Sequence, residues 1–120
     1  MQKVNYDEKF DQFDEHWRPK IIAELDNYDI KLVKVEGDFV WHKHDDVDEV
    51  FIVLDGQLDM DFRDRRETLT SGEMIVVPKG VEHKPNAFNE CWVMLLERKG
   101  VVNTGDANPN KLTAPGEVRV

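Results

Sequence analysis

Three histidines and one glutamate are spaced so that they could bind a single metal ion. His42 and His44 are separated by one residue, and Glu49 follows after a short acidic loop. Side chains at positions i and i+2 of a β-strand point to the same face, so the two imidazoles could be directed at one point. Glu49 could return to that point from the next strand, and His83, which follows a turn at residues 78–80, is the fourth candidate. Imidazole and carboxylate groups suit divalent transition metals such as Fe, Mn, Ni or Zn, so the spacing indicates a metal site.

The elements that would hold these side chains are short β-strands. Apolar runs and alternating patterns are separated by turn signals such as Asp26-Asn27 and Asp55-Gly56. Many short strands at this spacing favour an all-β sandwich or barrel. The predicted strands cover residues 20–25, 28–35, 39–44, 49–54, 57–62, 74–77 and 91–97.

The segment before these strands has a helical pattern. Between positions 5 and 18, aromatic residues recur at a helical spacing, at Tyr6, Phe10, Phe13 and Trp17. This pattern predicts an N-terminal helical segment, residues 1–19, which packs its aromatic stripe on the barrel or on a partner subunit. Residues 20–100 are predicted to form the barrel. Residues 101–120 are rich in Gly, Pro and Asn and are predicted to form an extended or partly disordered tail.

Charge and composition argue against several classes of partner. The chain has a net charge of -9, so its surface should repel nucleic acids and anionic membranes. Its one cysteine, Cys91, cannot form an intrachain disulfide and is predicted to be a small buried residue rather than a nucleophile. The N-terminus is too charged for a signal peptide, and no apolar run is long enough to span a bilayer. We therefore expect a cytoplasmic protein that binds a small molecule.

The segment around the first histidines resembles the first conserved motif of the cupin superfamily. That motif has a glycine, two histidines one residue apart, a glutamate and a closing glycine. In this sequence it runs from Gly37 through His42-Lys43-His44 and Glu49 to Gly56. The first glycine is one residue closer to the histidines than in the usual family pattern.

The second cupin motif is also recognisable. Gly72 precedes the turn Pro78-Lys79-Gly80, and His83 follows it, as in the family. Ala87 replaces the asparagine that usually closes this motif. The flanking segments resemble those of small single-domain prokaryotic cupins labelled mannose-6-phosphate isomerase-like, so a bacterial source is expected.

The resemblance implies a double-stranded β-helix, or jelly-roll barrel, that binds a divalent transition metal through His42, His44, Glu49 and His83. On an octahedral ion, four protein ligands would leave two positions for water or a small organic ligand. Isomerisation and oxygenation are both open to such a site. No separate general base is evident in the sequence. The alternative is a non-catalytic module that binds, stores or senses a small molecule and in which the metal is structural.

Apolar residues on the predicted strands should form the barrel core, and some are candidates for the wall of a pocket beside the metal. These candidates are Phe51, Met60, Phe62, Trp92 and Met94. Strand alternation predicts that Trp41 and Lys43 point away from the metal.

The strand predicted at residues 49–54 is apolar on its outward face as well. Val50, Ile52 and Leu54 share that face. Only the N-terminal segment could cover it within a monomer, and small cupins commonly cover this face by dimerising. We therefore predict a homodimer.

Overall fold

Eight β-strands and one short helix make up the chain, in agreement with the all-β prediction. The computed structural model describes every residue, 1–120. The strands pair antiparallel, except β1 with β8, in a sheet that curls as a jelly-roll barrel. The elements in chain order are α1 (Tyr6–Phe10), β1 (Lys20–Leu25), β2 (Tyr28–Asp38), β3 (Glu49–Asp55), β4 (Gln57–Phe62), β5 (Arg66–Thr70), β6 (Met74–Val77), β7 (His83–Arg98) and β8 (Val118–Arg119).

The longest strand, β7, joins the two halves of the barrel. One edge of β7 pairs with β2 along nearly its whole length. On the other edge, residues near its start pair with β4 and residues near its end pair with β3. Its side chains alternate, so Cys91, Val93 and Leu95 enter a core of 15 buried residues. Trp92 and Met94 lie on the opposite, outer face, where they pack against a second and smaller cluster.

The N-terminal helix is shorter than predicted. It covers Tyr6–Phe10 rather than residues 5–18. Asn5 caps it, because the side-chain oxygen of Asn5 accepts a hydrogen bond from the backbone nitrogen of Glu8 at 3.0 Å. No helix of the chain has the length and apolar character needed to cross a membrane.

The aromatic residues after this helix pack in two different places, and this explains why the helix ends early. Phe10 and Phe13 are buried in the small cluster on the outer face of the sheet, and Phe10 stacks on Trp92 at 4.4 Å. Trp17 instead enters the barrel core and stacks on Phe39 at 4.5 Å. One helical stripe faces one direction, so a continuous helix could not deliver these side chains to both sites.

The predicted strand at residues 39–44 does not form. Strand β2, which was predicted to end at residue 35, instead continues to Asp38 through a bulge between Val35 and Gly37. Gly37 has a φ of +81°, which favours a bulge because glycine adopts this conformation without strain. The backbone from 39 to 44 is irregular apart from a single bridge that joins His42 to His83.

Strand β6 matches the predicted apolar run at residues 74–77, but the run is not buried throughout. Val77 faces the core, whereas Met74 and Val76 are 56% and 48% exposed on the outer face. These two side chains are exposed because β6 pairs only with β3 and forms an edge of the sheet.

Residues 101–120 pack against the barrel instead of extending away from it. Turns occupy much of the segment, and only Val118–Arg119 is regularly extended, as β8 beside β1. Thr104 is buried, and the amide of Asn103 donates to the backbone oxygens of Trp17 and Leu112. The segment therefore covers one end of the barrel.

Candidate metal centre

The four candidate ligands converge on one point inside the barrel. His42, His44, Glu49 and His83 are all buried, and each offers a ligand atom within 4.8 Å of the others. Nε2 of His44 lies 3.5 Å from Glu49 Oε1, and Nε2 of His83 lies 3.6 Å from the same oxygen. These separations are too long for good hydrogen bonds, but they are suitable for atoms that surround a shared cation.

The backbone places His42 directly opposite His83. The N–H of each residue donates to the carbonyl oxygen of the other, at 3.0 and 2.9 Å. Directly opposed residues of an antiparallel pair direct their side chains to the same face, and these two ring centroids are 4.2 Å apart. Glu49 opens β3 and is held in register opposite Val77 of β6. The first residues of β3 and β7 thus position Glu49 and His83, and the bridge to His83 positions His42.

Two of the histidines have their tautomers fixed by the backbone. Nδ1 of His42 lies 2.9 Å from the carbonyl oxygen of Val40, and Nδ1 of His83 lies 2.9 Å from that of Val81. A carbonyl oxygen only accepts, so each Nδ1 carries the proton and donates it. The lone pair of each Nε2 is therefore available to the site, which is the usual arrangement for a histidine that binds a metal.

Three polar atoms at the centre of the site are buried without a hydrogen-bond partner. They are Nε2 of His44, Oε1 of Glu49 and Nε2 of His83. An unsatisfied buried polar group costs about 1–3 kcal/mol, and three at one point would be unusual in a stable core. A single cation would satisfy all three, so the residues present fit a divalent metal ion.

The electrostatic environment keeps His42 neutral and Glu49 charged, as metal binding requires. Burial, followed by the proximity of His83, lowers the pKa of His42 to about 4. Burial alone would raise the pKa of Glu49. Contacts with Glu97, His44 and His83 outweigh that effect and hold the pKa of Glu49 well below its ordinary value.

A second buried carboxyl group, that of Glu97, lies against Glu49 and was missed from the sequence. Lys31 Nζ lies 2.8 Å from Glu97 Oε1, whereas Oε2 of Glu97 has no hydrogen-bond partner. Burial and the negative charge of Glu49 raise the pKa of Glu97 well above its ordinary value, and Lys31 opposes them. Strand alternation could have predicted its burial, because Glu97 points to the same inward face of β7 as Val93 and Leu95.

A small cavity of about 40 Å³ adjoins the candidate ligands. His42 and Glu49 line one side of it, and most of the remaining wall is apolar. Phe51, predicted as a pocket residue, lies on this wall, and Trp17 and Phe39 lie there without having been predicted. Since one water needs about 10–15 Å³ on this measure, the cavity has room for about three waters.

The other four predicted pocket residues lie elsewhere. Met60 and Phe62 belong to the barrel core but do not reach the cavity wall. Trp92 and Met94 are on the outer face of β7, so their assignment to the pocket is corrected. The run from residue 92 to residue 96 is apolar on both faces, and for this reason alternation alone did not show which face enters the barrel.

Trp41 and Lys43 point away from the ligands, as alternation predicts. The guanidinium of Arg63 stacks over the Trp41 ring at 3.9 Å, and Lys43 Nζ lies 3.2 Å from a carboxylate oxygen of Asp45. Both side chains therefore make surface contacts.

The segment that covers the barrel end, residues 101–120, directly touches the loop that carries His42 and His44. The backbone nitrogen of Asp106 donates to the Lys43 carbonyl oxygen at 3.1 Å, and the side chain of Asp106 accepts from the Lys43 nitrogen at 2.7 Å. Gly105 lies so close that an added Cβ would be 2.3 Å from the Lys43 oxygen and 3.1 Å from Cδ2 of His42. The cover thus packs against the backbone between His42 and His44.

Residues 30–96, more than half of the chain, match the model of the Cupin_2 family, described as a cupin domain. This range contains all four candidate metal ligands.

Solved structures of two bacterial proteins resemble the chain along most of its length. A cupin-2 domain containing protein from Shewanella frigidimarina NCIMB 400 is 56% identical, with a TM-score of 0.79, over 80% of this chain and 94% of that one. Protein NMB1881 from Neisseria meningitidis is 35% identical, with a TM-score of 0.75, over 82% of this chain and 100% of that one. The uncharacterized protein YdbB of Bacillus subtilis (strain 168) is 33% identical over 79 residues, which are 65% of this chain and 70% of that protein.

Proposed function

The chain belongs to the cupin family, and from this premise we propose that it binds a divalent transition-metal ion in its barrel together with a small organic ligand. The proposed metal ligands are His42, His44, Glu49 and His83. The observation that carries the proposal is the set of three buried, unpartnered ligand atoms beside a mainly apolar cavity. Fe, Mn, Ni and Zn all suit three imidazoles and one carboxylate.

The residues around the site have separable roles in this proposal. His42 and His83 present Nε2 lone pairs whose direction is fixed by the carbonyl oxygens of Val40 and Val81. Glu49 contributes negative charge, and the apolar part of the wall, which includes Phe51, keeps water away from the ligand. A divalent ion bound here would supply Lewis acidity or, in the case of iron, redox chemistry with oxygen.

We propose isomerase or oxygenase chemistry as the first activities to test. A purely structural metal would need no cavity beside it, whereas His42 and Glu49 both line one. Four protein ligands on a six-coordinate ion also leave room for a reacting molecule. The mannose-6-phosphate isomerase-like resemblance and the small size of the cavity make small carbonyl compounds reasonable first substrates.

Elemental analysis of protein purified without a nickel column tests the metal proposal. We expect close to one transition-metal ion per chain in the wild type and a large loss in His42→Ala. His16→Ala is the matched control, because His16 lies at the surface and pairs with Glu90. Equal, substoichiometric metal in the wild type and in His42→Ala would refute the proposal.

We also propose that the protein is a homodimer that pairs through the outer face of β3, β6 and β7. Val76 lies beside Val50, and Met74 beside Ile52, and β7 continues the same face. The resulting apolar surface comprises Val50, Ile52, Met74, Val76 and Leu96, and Met94 borders it beside the N-terminal aromatic cluster. A contiguous apolar patch on the surface of a soluble protein often marks a protein–protein interface. Leu54, which was also predicted for this face, instead packs against the N-terminal aromatic residues.

We propose a cytoplasmic location in a bacterium, with no nucleic acid or membrane partner. The net charge of -9 supports the absence of both partners. The single thiol, Cys91, is free and buried, which suits a reducing compartment.

A further inference from the structure

An ion pair lies inside the barrel, where apolar side chains would be expected. Lys31 on β2 and Glu97 on β7 have side chains that are 5% and 2% exposed, with Nζ and Oε1 2.8 Å apart. Lys31 has the same inward parity as Val33 and Val35, which are core residues. Apolar residues of similar volume often stabilise a core as well as or better than a buried ion pair, so stability gives little reason for this one.

One oxygen of this pair is left without a hydrogen bond. Oε2 of Glu97 is buried and has no donor within reach. Glu97 lines the cavity that His42 and Glu49 also line. It also lines a second space, of about 300 Å³, which lies beneath residues 100–103 and 114–117. Glu97 therefore lies between the cavity beside the candidate metal ligands and the space under residues 100–103.

The surroundings of Glu97 resemble a ligand site more than a structural network. Most of the wall of the cavity beside the metal is apolar, as at Phe51 and Leu95. Sites for small molecules typically combine an apolar wall with a few polar groups that fix the orientation of the ligand. Lys31 holds the Glu97 carboxyl group through one oxygen and leaves the other for a partner that the chain itself does not provide.

We propose that Glu97, positioned by Lys31, recognises the ligand by accepting a hydrogen bond from a hydroxyl or amino group. The ligand class is a small molecule with an oxygen donor for the metal and such a hydrogen-bond donor a few ångströms away, as in a 2-hydroxy acid. This inference rests on the proposed metal-binding function and adds the ligand class to it.

A probe titration with Co²⁺-loaded protein tests the inference. Acetate and glycolate both offer a carboxylate to the metal, but only glycolate also offers a hydroxyl, and the visible absorption of Co²⁺ reports binding of either. The variant Lys31→Met/Glu97→Leu replaces the pair with apolar groups of similar size. We expect the preference for glycolate over acetate to fall by about threefold to tenfold in this variant, since the hydrogen bond between the glycolate hydroxyl and the Glu97 carboxyl group is lost. Any better chelation of the metal by glycolate than by acetate acts in both the wild type and the variant, so comparing the preference between these two proteins removes that contribution.

Two further variants make the test robust. Glu97→Gln keeps the shape of the side chain, and because Lys31 would hold the amide oxygen, it places an amide donor at the free position. It should therefore reduce the same preference even if the double variant folds poorly. Lys34→Met removes a buried lysine from the opposite face of β2, where it bonds the Phe13 carbonyl oxygen. This control should alter stability without changing the preference.

The outcomes separate the inference from the proposed function. Co²⁺ binding at one ion per chain with an unchanged glycolate preference in both Glu97 variants would overturn the inference alone. Loss of Co²⁺ affinity without a change in preference would also overturn it, because Glu97 would then serve only to position Glu49. Failure of the wild type to bind Co²⁺ would overturn both proposals.

Discussion

Gly105→Ala is predicted to destabilise the barrel and to weaken metal binding, although residue 105 lies outside both cupin motifs. Gly105 has a φ of +55°, and an added Cβ would lie 2.3 Å from the backbone oxygen of Lys43. Because the obstacle is backbone, no side-chain rotation can relieve it. Ordinary van der Waals contact begins near 3.4 Å, so the covering segment or the Lys43 loop would have to move by roughly 1 Å.

The expected magnitude has two parts. Placing alanine at positive φ costs about 1–2 kcal/mol, and overpacking costs about 1–3 kcal/mol more. Gly100→Ala is a matched control, because Gly100 has a φ of +83° but no atom within 4 Å of an added Cβ. Gly100→Ala should therefore lose only the first part. The two variants should differ by about 1–3 kcal/mol in the free energy of unfolding, which corresponds to several degrees in Tm.

Metal affinity provides a second measurement for the same variants. A shift of the loop between His42 and His44 moves two ligands, and disturbance of groups that orient ligands typically lowers metal affinity by about 10–100-fold. Calorimetric titration with a divalent metal should show this loss for Gly105→Ala and not for Gly100→Ala. If the two variants were alike in both stability and affinity, the contact between the cover and Lys43 would not exist in solution.

Three further predictions concern acid stability, assembly and thiol reactivity. In the metal-free protein, burial lowers the pKa of His42 to about 4, so its contribution to the free energy of unfolding should fall by about 3 kcal/mol as the pH drops from 6.5 to about 4. Glu97, whose pKa is raised, contributes with the opposite sign in the same range, so the His42 contribution is measured as the difference between the wild type and His42→Gln in urea titrations. A difference that does not change with pH would contradict the burial of His42. Light scattering should show that Ile52→Glu converts the dimer into a monomer. Phe88→Glu should leave the mass unchanged, because the Phe88 side chain is 94% exposed and lies outside the patch. A wild-type monomer at micromolar concentration would refute the proposed interface. Burial and the charge of Asp55 raise the pKa of Cys91 to about 12. A thiol reagent should therefore label this residue only at the rate of unfolding. Fast labelling of the native protein would show instead that the core opens around Cys91.

Residue spacing was sufficient to identify the candidate metal ligands because only a few types of side chain bind transition metals, and this chain has few histidines. The structure brings together the four residues that the sequence singled out, His42, His44, Glu49 and His83. The argument that placed the first two on a regular strand was wrong, since residues 39–44 are irregular. The backbone bridge to His83 directs His42 instead, and a contact between residues so far apart cannot be deduced from local alternation.

Features that depend on tertiary packing were harder to predict. The early end of the helix follows from separate packing sites for Phe13 and Trp17, which the aromatic spacing did not reveal. The inward face of β7 could not be chosen from an apolar run alone, so Trp92 was assigned to the wrong side. Glu97 was overlooked for a related reason, because a charged residue at the end of a strand usually reaches water.

The position of the covering segment also has a consequence for the order of events during synthesis. His42, His44, Glu49 and His83 all leave the ribosome before Gly105 does, so the nascent barrel can form with its end still open. A metal ion could therefore enter before the cover docks, whereas the docked cover, which packs against the backbone between His42 and His44, would slow the exit of a bound ion. Loading and release then have different kinetic barriers, and the mature protein should retain its metal longer than the affinity of the four ligands alone would suggest.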